Sequence, residues 1–215
     1  VPFTFDITQQ VKVGSNTLVV MAQDDNRSMK QPRGKQSTLY DSHGCDYTRT
    51  TGIWQTVWLE FVPNVFIQHY QIIPKIHDQS VLYRVWVQGV PDEHTIGLQA
   101  FFDGRPVGFT TVALSHGIAE GSLPLSECHL WDVGQPNLYH LAIELKEEEM
   151  VIDRVDGYFG LRDIQLKNKA IYLNGRPVFQ RLVLDQGFYP DGIYTAPTDA
   201  DLKSDIELSM KLGFN

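Results

Sequence analysis

The chain has 215 residues with 18 Lys and Arg against 26 Asp and Glu, a formal net charge of −8. That length allows one or two domains with real hydrophobic cores. The charge argues against nucleic acid or an anionic membrane surface as a partner. No apolar run approaches the roughly twenty residues of a membrane-spanning helix.

Residues 1–63 read as short strands broken by turns. Val1-Pro2-Phe3 is already strand-like, so the chain is expected to begin inside a domain, and the compartment stays unassigned. Phe3 and Phe5 alternate with polar residues, Gly14-Ser15-Asn16 marks a turn, and residues 18–22 and 53–61 read as further strands. Between them lies a polar loop, 24–51, broken by Pro32-Arg33-Gly34. Loops of that length are usually functional or disordered. Asn26-Arg27-Ser28 within it matches a glycosylation sequon, a triplet that also arises by chance. The two cysteines, Cys45 and Cys128, lie far apart and read as free thiols.

From 64 to 163 strand patterns recur at the spacing of a β-sandwich: 65–73, 81–88, 95–102, 107–114, 117–123, 138–145 and 150–161. Turn residues separate them, among them Asp78-Gln79, Pro91-Asp92, Asp103-Gly104 and the solvated acidic triplet Glu147-Glu148-Glu149. Trp131 and Tyr139 are expected in the core.

The pattern changes after 163. Ile171-Tyr172-Leu173, Asn174-Gly175 and Val178-Phe179 form a hairpin signal, because Asn-Gly accepts the positive φ angles of a two-residue type I′ turn. Residues 180–184 carry the apolar run Leu182-Val183-Leu184, suited to a strand buried on both faces. A helix follows a loop, with Thr198 as N-cap, Asp201 completing a capping box, and Gly213 at its end. Leu202, Ile206 and Met210 fall on one stripe, expected to face a sheet. Phe214-Asn215 opens another strand.

Several short motifs, in order, resemble glycoside hydrolase family 2, the β-galactosidase, β-glucuronidase and β-mannosidase relatives. They are Pro2-Phe3-Thr4-Phe5-Asp6-Ile7, Gly14-Ser15-Asn16-Thr17-Leu18 and Gly52-Ile53-Trp54-Gln55-Thr56-Val57-Trp58-Leu59, then Leu130-Trp131-Asp132 with Gln135-Pro136-Asn137-Leu138-Tyr139. Tyr158-Phe159-Gly160-Leu161-Arg162, Tyr172-Leu173-Asn174-Gly175-Arg176-Pro177, Asp205-Ile206 and Lys211-Leu212-Gly213-Phe214-Asn215 continue the series. The resemblance implies a mainly β chain in three parts. Residues 1–63 correspond to the later strands of a jelly-roll sugar-binding domain, 64–163 to an immunoglobulin-like β-sandwich, and 164–215 to the first βα unit of a (β/α)8 barrel, the chain being a truncated fragment.

The family hydrolyses terminal β-glycosidic bonds with retention, using two carboxylates about 5–5.5 Å apart. Its acid/base sits in an Asn-Glu dipeptide, and this chain has none. No catalytic residue is therefore assigned, and the chain alone is expected to be inactive. Asp46, six residues before Gly52, matches an aspartate whose loop reaches the barrel mouth and bonds a sugar hydroxyl; the alternative is a turn aspartate capping its own backbone. Asp185 and Gln186 close the 180–184 strand, where barrel strands line their site. There the family's Asn-Arg-His-rich run is replaced by Leu184-Asp185-Gln186-Gly187-Phe188-Tyr189, which leaves the sugar unassigned. Arg49 is expected to pair with carboxylates between domains, and Phe188 and Tyr189 to pack against a neighbour or stack on a sugar. The seven histidines show no metal-ligand spacing, no cofactor is expected, and the expected partner is a carbohydrate. Oligomeric state is unassigned. A non-catalytic carbohydrate-binding or adhesion module of two β-sandwiches is the competing reading, and a strand–loop–helix segment after 178 argues against it.

Overall fold

The computed structural model describes residues 3–89 and 93–215. The readings on Val1-Pro2 and on the Pro91-Asp92 turn lie outside them. The described chain divides into two compact units, one of residues 1–58 and 184–209, the other of 59–183 and 210–215.

The second unit holds a two-sheet sandwich of seven strands. They are β1 (Phe66–Lys75), β2 (Ser80–Gln88), β3 (His94–Phe102), β4 (Arg105–Ala113), β5 (Ile118–Pro124), β6 (Tyr139–Glu147) and β7 (Met150–Phe159). All pairs are antiparallel, in the orders β1-β2-β5 and β4-β3-β6-β7. Every strand expected within 64–163 is present within two residues of its ends. Alternation in β2 and β6 drives this: Val81, Tyr83, Val85 and Val87 point inward from one sheet, Tyr139, Leu141, Ile143 and Leu145 from the other, all buried. The β3–β4 hairpin turns at Asp103 (φ 48°) and Gly104 (φ 76°), the positive φ pair that Asp-Gly supplies.

Tyr139 pins the sandwich. Its ring is fully buried and stacks on Phe159 at 4.9 Å. Its hydroxyl accepts from the His129 amide at 2.6 Å and donates to the Glu127 carbonyl at 3.0 Å, tying the β5–β6 loop to the core. Burial pushes this phenol above its ordinary pKa. Trp131, by contrast, is not a core residue. It is half-buried beside Gly160, with the Arg162 guanidinium 4.8 Å from its ring. The loop of 130–137 curls at Asp132–Gln135 and keeps the indole at the sandwich end, where a cation can cover it.

A three-stranded meander follows: β8 (Ile164–Lys167), β9 (Ala170–Leu173) and β10 (Arg176–Val178), in the order β10-β9-β8. The Asn174-Gly175 turn forms as expected, with φ of 51° and 77°. Asn174 also does something its turn propensity does not foretell. Its Oδ1 accepts from the Asp163 amide at 3.1 Å and its Nδ2 donates to the Trp131 carbonyl at 2.9 Å, fastening the meander to the sandwich.

Two expected sets of strands do not form. Residues 3–63 contain no strand; only isolated bridges occur, at Gln36 with Tyr47 and His43 with Asp46. Residues 180–184 form no strand either, and Leu182, Val183 and Leu184 are exposed. Both stretches have strand-like side chains, but none of them meets a ladder partner, and an unpaired strand leaves its backbone groups to water. The helix does form. Helix α1 spans Asp199–Lys211, its stripe residues Leu202, Ile206 and Met210 exposed rather than packed on a sheet.

The Tyr139 hydroxyl satisfies a part-buried donor and a carbonyl at once, so Tyr139→Phe should cost about 1–3 kcal/mol. For a domain of this size that is a drop in melting temperature on the order of 5–15 °C. Thermal unfolding followed by circular dichroism checks it; an unchanged midpoint contradicts the pinning role.

Candidate functional site

The polar loop of 24–51, within the first unit, is ordered by its own side chains. Ser37, fully buried, donates to the Asp41 carbonyl at 2.8 Å, lies 3.0 Å from His43 Nδ1 and accepts from the Leu39 amide. Gln36 Oε1 accepts from Asn26 Nδ2 at 3.0 Å and from the Thr50 amide at 2.9 Å. Backbone bonds from Tyr47 to Lys35 and from Ser37 to Tyr47 close the loop on itself. Asn26 is only 8% exposed, and its amide nitrogen also donates to Asp24. The amide nitrogen of the sequon is thus engaged on both sides in the folded chain.

Asp46 ends the tight turn from His43, exchanging two backbone bonds with it across Gly44 at φ 55°. Its carboxylate does not cap that turn. Oδ2 lies 3.4 Å from Arg33 Nη1 and 3.8 Å from His43 Nε2. Arg33 in turn donates to the Gln36 carbonyl, so Asp46 is held in a fixed orientation by the loop. Arg49 does not pair with a carboxylate; its Nη1 donates to the Leu39 carbonyl at 2.5 Å, because the loop doubles back within reach. Arg49 with Tyr40, Asp41, Ser42 and Thr48 lines a recess of about 380 Å³.

Gln186 meets this loop directly. Its Oε1 accepts from Lys35 Nζ at 2.9 Å and from the Tyr47 hydroxyl at 2.8 Å, across 151 and 139 residues of sequence. Phe188 stacks on Tyr47 with centroids 4.6 Å apart, and Tyr194 meets Phe188 edge-on at 6.4 Å. Phe188 thus packs on an aromatic neighbour, one of the two uses expected of it. Asp185 is exposed, its Oδ1 accepting from the Gly187 amide at 2.7 Å in a local turn. Tyr189 donates to Asp205 Oδ2 at 2.8 Å, and that carboxylate raises the phenol above its ordinary pKa. The structure therefore joins Gln186 to the residue after Asp46, while the two expected carboxylates, Asp46 and Asp185, each have local partners. Lys35, Tyr47 and Tyr194 were not singled out by sequence. Only the adjacency of Tyr47 to Asp46 hinted at one of them.

Cys45 and Cys128 are exposed free thiols. Among the described residues no group of three or more His, Cys, Asp or Glu side chains is arranged to hold a metal ion. Among them, too, no helix is long and apolar enough to cross a membrane.

The sequence profile of "Glycosyl hydrolases family 2" matches residues 65–162, the whole of the seven-stranded sandwich. Over those residues the chain is similar to that family. A putative β-glucuronidase of Formosa agariphila is 28% identical over 222 residues, covering 99% of this chain and 26% of that protein. A β-galactosidase of Thermoanaerobacter pseudethanolicus is 24% identical over 233 residues, covering all of this chain and 29% of its own length. The chain thus spans about a quarter of the curated relatives it matches. The structure of a β-glucuronidase from Ruminococcus gnavus superposes with a TM-score of 0.62 at 22% identity, over 71% of this chain and 26% of that one, a likeness of fold.

Tyr47→Ala removes the stack on Phe188 and a bond to Gln186. An aromatic pair contributes about 0.5–1.5 kcal/mol and a hydrogen bond about 1 kcal/mol. Chymotryptic cleavage after Phe188 should then accelerate roughly tenfold, following the population of the opened segment. Tyr40→Ala, at a residue 86% exposed, should leave the rate unchanged.

Proposed function

We propose that these 215 residues are the jelly-roll-to-barrel portion of a retaining β-glycosidase, in which residues 24–51 and 184–194 contribute to the sugar-facing surface. The observation that carries this reading is the convergence of Lys35 and Tyr47 on Gln186. A loop expected to reach a barrel mouth and a segment expected to end the first barrel strand meet through specific polar and aromatic contacts. A module of two independent β-sandwiches gives no reason for that meeting.

Further features support the domain assignments of 1–63, 64–163 and 164–215. The 3+4 strand arrangement and the hydroxyl of Tyr139, bonded back to the loop before β6, fit an immunoglobulin-like sandwich with its tyrosine corner. For the barrel start, Thr198 and Asp201 form the reciprocal capping box, with Thr198 N to Asp201 Oδ2 at 3.0 Å and Asp201 N to Thr198 Oγ1 at 3.3 Å. Gly213 ends the helix at φ 86°. Asn215 then returns beside residue 181, its amide donating to the Arg181 carbonyl at 3.1 Å and its Oδ1 accepting the Arg181 amide at 2.7 Å. A chain that leaves at residue 181, passes through a helix and returns beside it at residue 215 follows the path of a (β/α)8 repeat, though neither end forms a strand here.

In this reading the two carboxylates that break the glycosidic bond are not among these residues. What the chain contributes is orientation. Asp46, held by Arg33, presents a fixed acceptor for a sugar hydroxyl, and Gln186 and Asp185 offer further exposed polar groups. The substrate is a carbohydrate, and the names of the relatives point to β-glucuronides or β-galactosides.

The purified 215-residue chain should release no nitrophenol from aryl β-galactosides, glucuronides or mannosides above the buffer blank. Turnover would overturn the assignment of catalysis to residues outside it. In an active polypeptide containing these residues, Asp46→Ala should lower kcat/KM by about tenfold to a hundredfold, the loss of a charge-assisted hydrogen bond near the reacting sugar. A fall in melting temperature with kcat/KM unchanged would reduce Asp46 to a loop-holding partner of Arg33.

A further inference from the structure

The loop of 24–51 carries a recess of about 380 Å³ that none of the contacts to Gln186 uses. That volume is at the small end of ligand pockets, which run from roughly 300 to 1,000 Å³. Two stretches of chain make its walls, Tyr40-Asp41-Ser42 and Thr48-Arg49. Three bonds hold them in place. The Ser42 and Thr48 hydroxyls meet at 3.1 Å, Arg49 Nη1 donates to the Leu39 carbonyl at 2.5 Å, and the Asp41 carbonyl accepts from the buried Ser37 hydroxyl at 2.8 Å. Among the described residues neither Asp41 nor Arg49 is in an ion pair. The lining therefore combines a carboxylate, the remaining N–H groups of a guanidinium, two hydroxyls and an aromatic ring that is 86% exposed. Its two charges cancel.

Ser42 and Thr48 flank the His43–Asp46 turn, so the recess lies at the root of the turn that ends in Asp46. Thr48 is two residues from Asp46, a reach of at most about 7 Å along the chain. A ring linked to a sugar at Asp46 therefore comes within reach of the recess. The lining also selects. An anion there is opposed by Asp41 and a cation by Arg49. A neutral polyhydroxyl ring suits both, because each hydroxyl donates and accepts, and its C–H face can cover the Tyr40 ring. We propose that this recess is a second sugar subsite, taking the neutral ring next to the one at Asp46, so that the substrate is a disaccharide or longer glycan. This rests on the reading of residues 24–51 as sugar-facing and adds a subsite to it. Asp41 and Arg49 bond the hydroxyls of the second ring, and Tyr40 covers its face.

The test is an NMR titration of the whole isotope-labelled 215-residue chain with two pairs of sugars. In each pair the disaccharide adds one glucose: methyl β-D-galactoside against lactose, and methyl β-D-glucuronide against 4-O-β-D-glucuronosyl-D-glucose. In at least one pair the disaccharide should bind about fivefold tighter, the scale of one added hydrogen bond. It should also shift the amides of 40–42 and 48–49, which the methyl glycoside leaves in place. Tyr40→Ala and Asp41→Ala should each remove most of that advantage while the affinity for the methyl glycoside stays the same. Both residues are exposed, so the variants should keep the melting temperature of the parent. Tyr158→Ala, at an exposed tyrosine of the sandwich, should keep the advantage. Equal affinities within both pairs, or an advantage that survives either loop variant, overturns the inference and leaves the sugar-facing reading standing. No binding of any of the four sugars overturns both.

Discussion

A β-strand persists only where its backbone groups find a ladder and one of its faces finds cover. That constraint separates the parts of this chain. In the sandwich each strand pairs with at least one neighbour, and the inward residues of β2, β3 and β6 meet across the two sheets. In residues 3–63 and 180–184 the side chains are equally strand-like, yet Phe3, Phe5, Leu18, Trp58, Phe61 and Leu184 stay exposed because no ladder brings a second face to them. Hydrophobic pattern specifies which face of a strand is buried. It does not specify whether the partner is present.

This explains which features were legible in the sequence. Elements whose partners are local in sequence were read well. The Asp103-Gly104 and Asn174-Gly175 hairpins follow from φ preferences of two residues, and the Thr198–Asp201 capping box from a three-residue spacing. The sandwich strands followed from alternation repeated seven times. Trp131 was misjudged because an aromatic residue among strands usually fills a core, and nothing local revealed that Arg162 would cover it at the sandwich end. The bond of Asn174 to Trp131 was invisible for the same reason: it spans 43 residues.

The candidate site shows the same division more sharply. Asp46, Asp185 and Gln186 were expected from resemblance and from position at the end of an expected strand. What joins the two segments lies in residues without a motif, Lys35 and Tyr47, whose roles arise from contacts across 139 and 151 residues. The carboxylates expected at the site are stabilised by their own loops, Asp46 by Arg33 and Asp185 by the Gly187 amide. Such prior commitment is what a positioning group needs: a carboxylate already fixed by its loop loses little further freedom when a ligand binds.

The account depends on residues 24–51 and 184–194 meeting in solution. The most direct measurement is a nuclear Overhauser spectrum of the whole chain with selectively labelled Tyr and Phe. Cross-peaks between the rings of Tyr47 and Phe188, whose centroids lie 4.6 Å apart, are the result the account predicts. Sharp ring resonances for both residues at unstructured shifts, with no cross-peak between them, would contradict it.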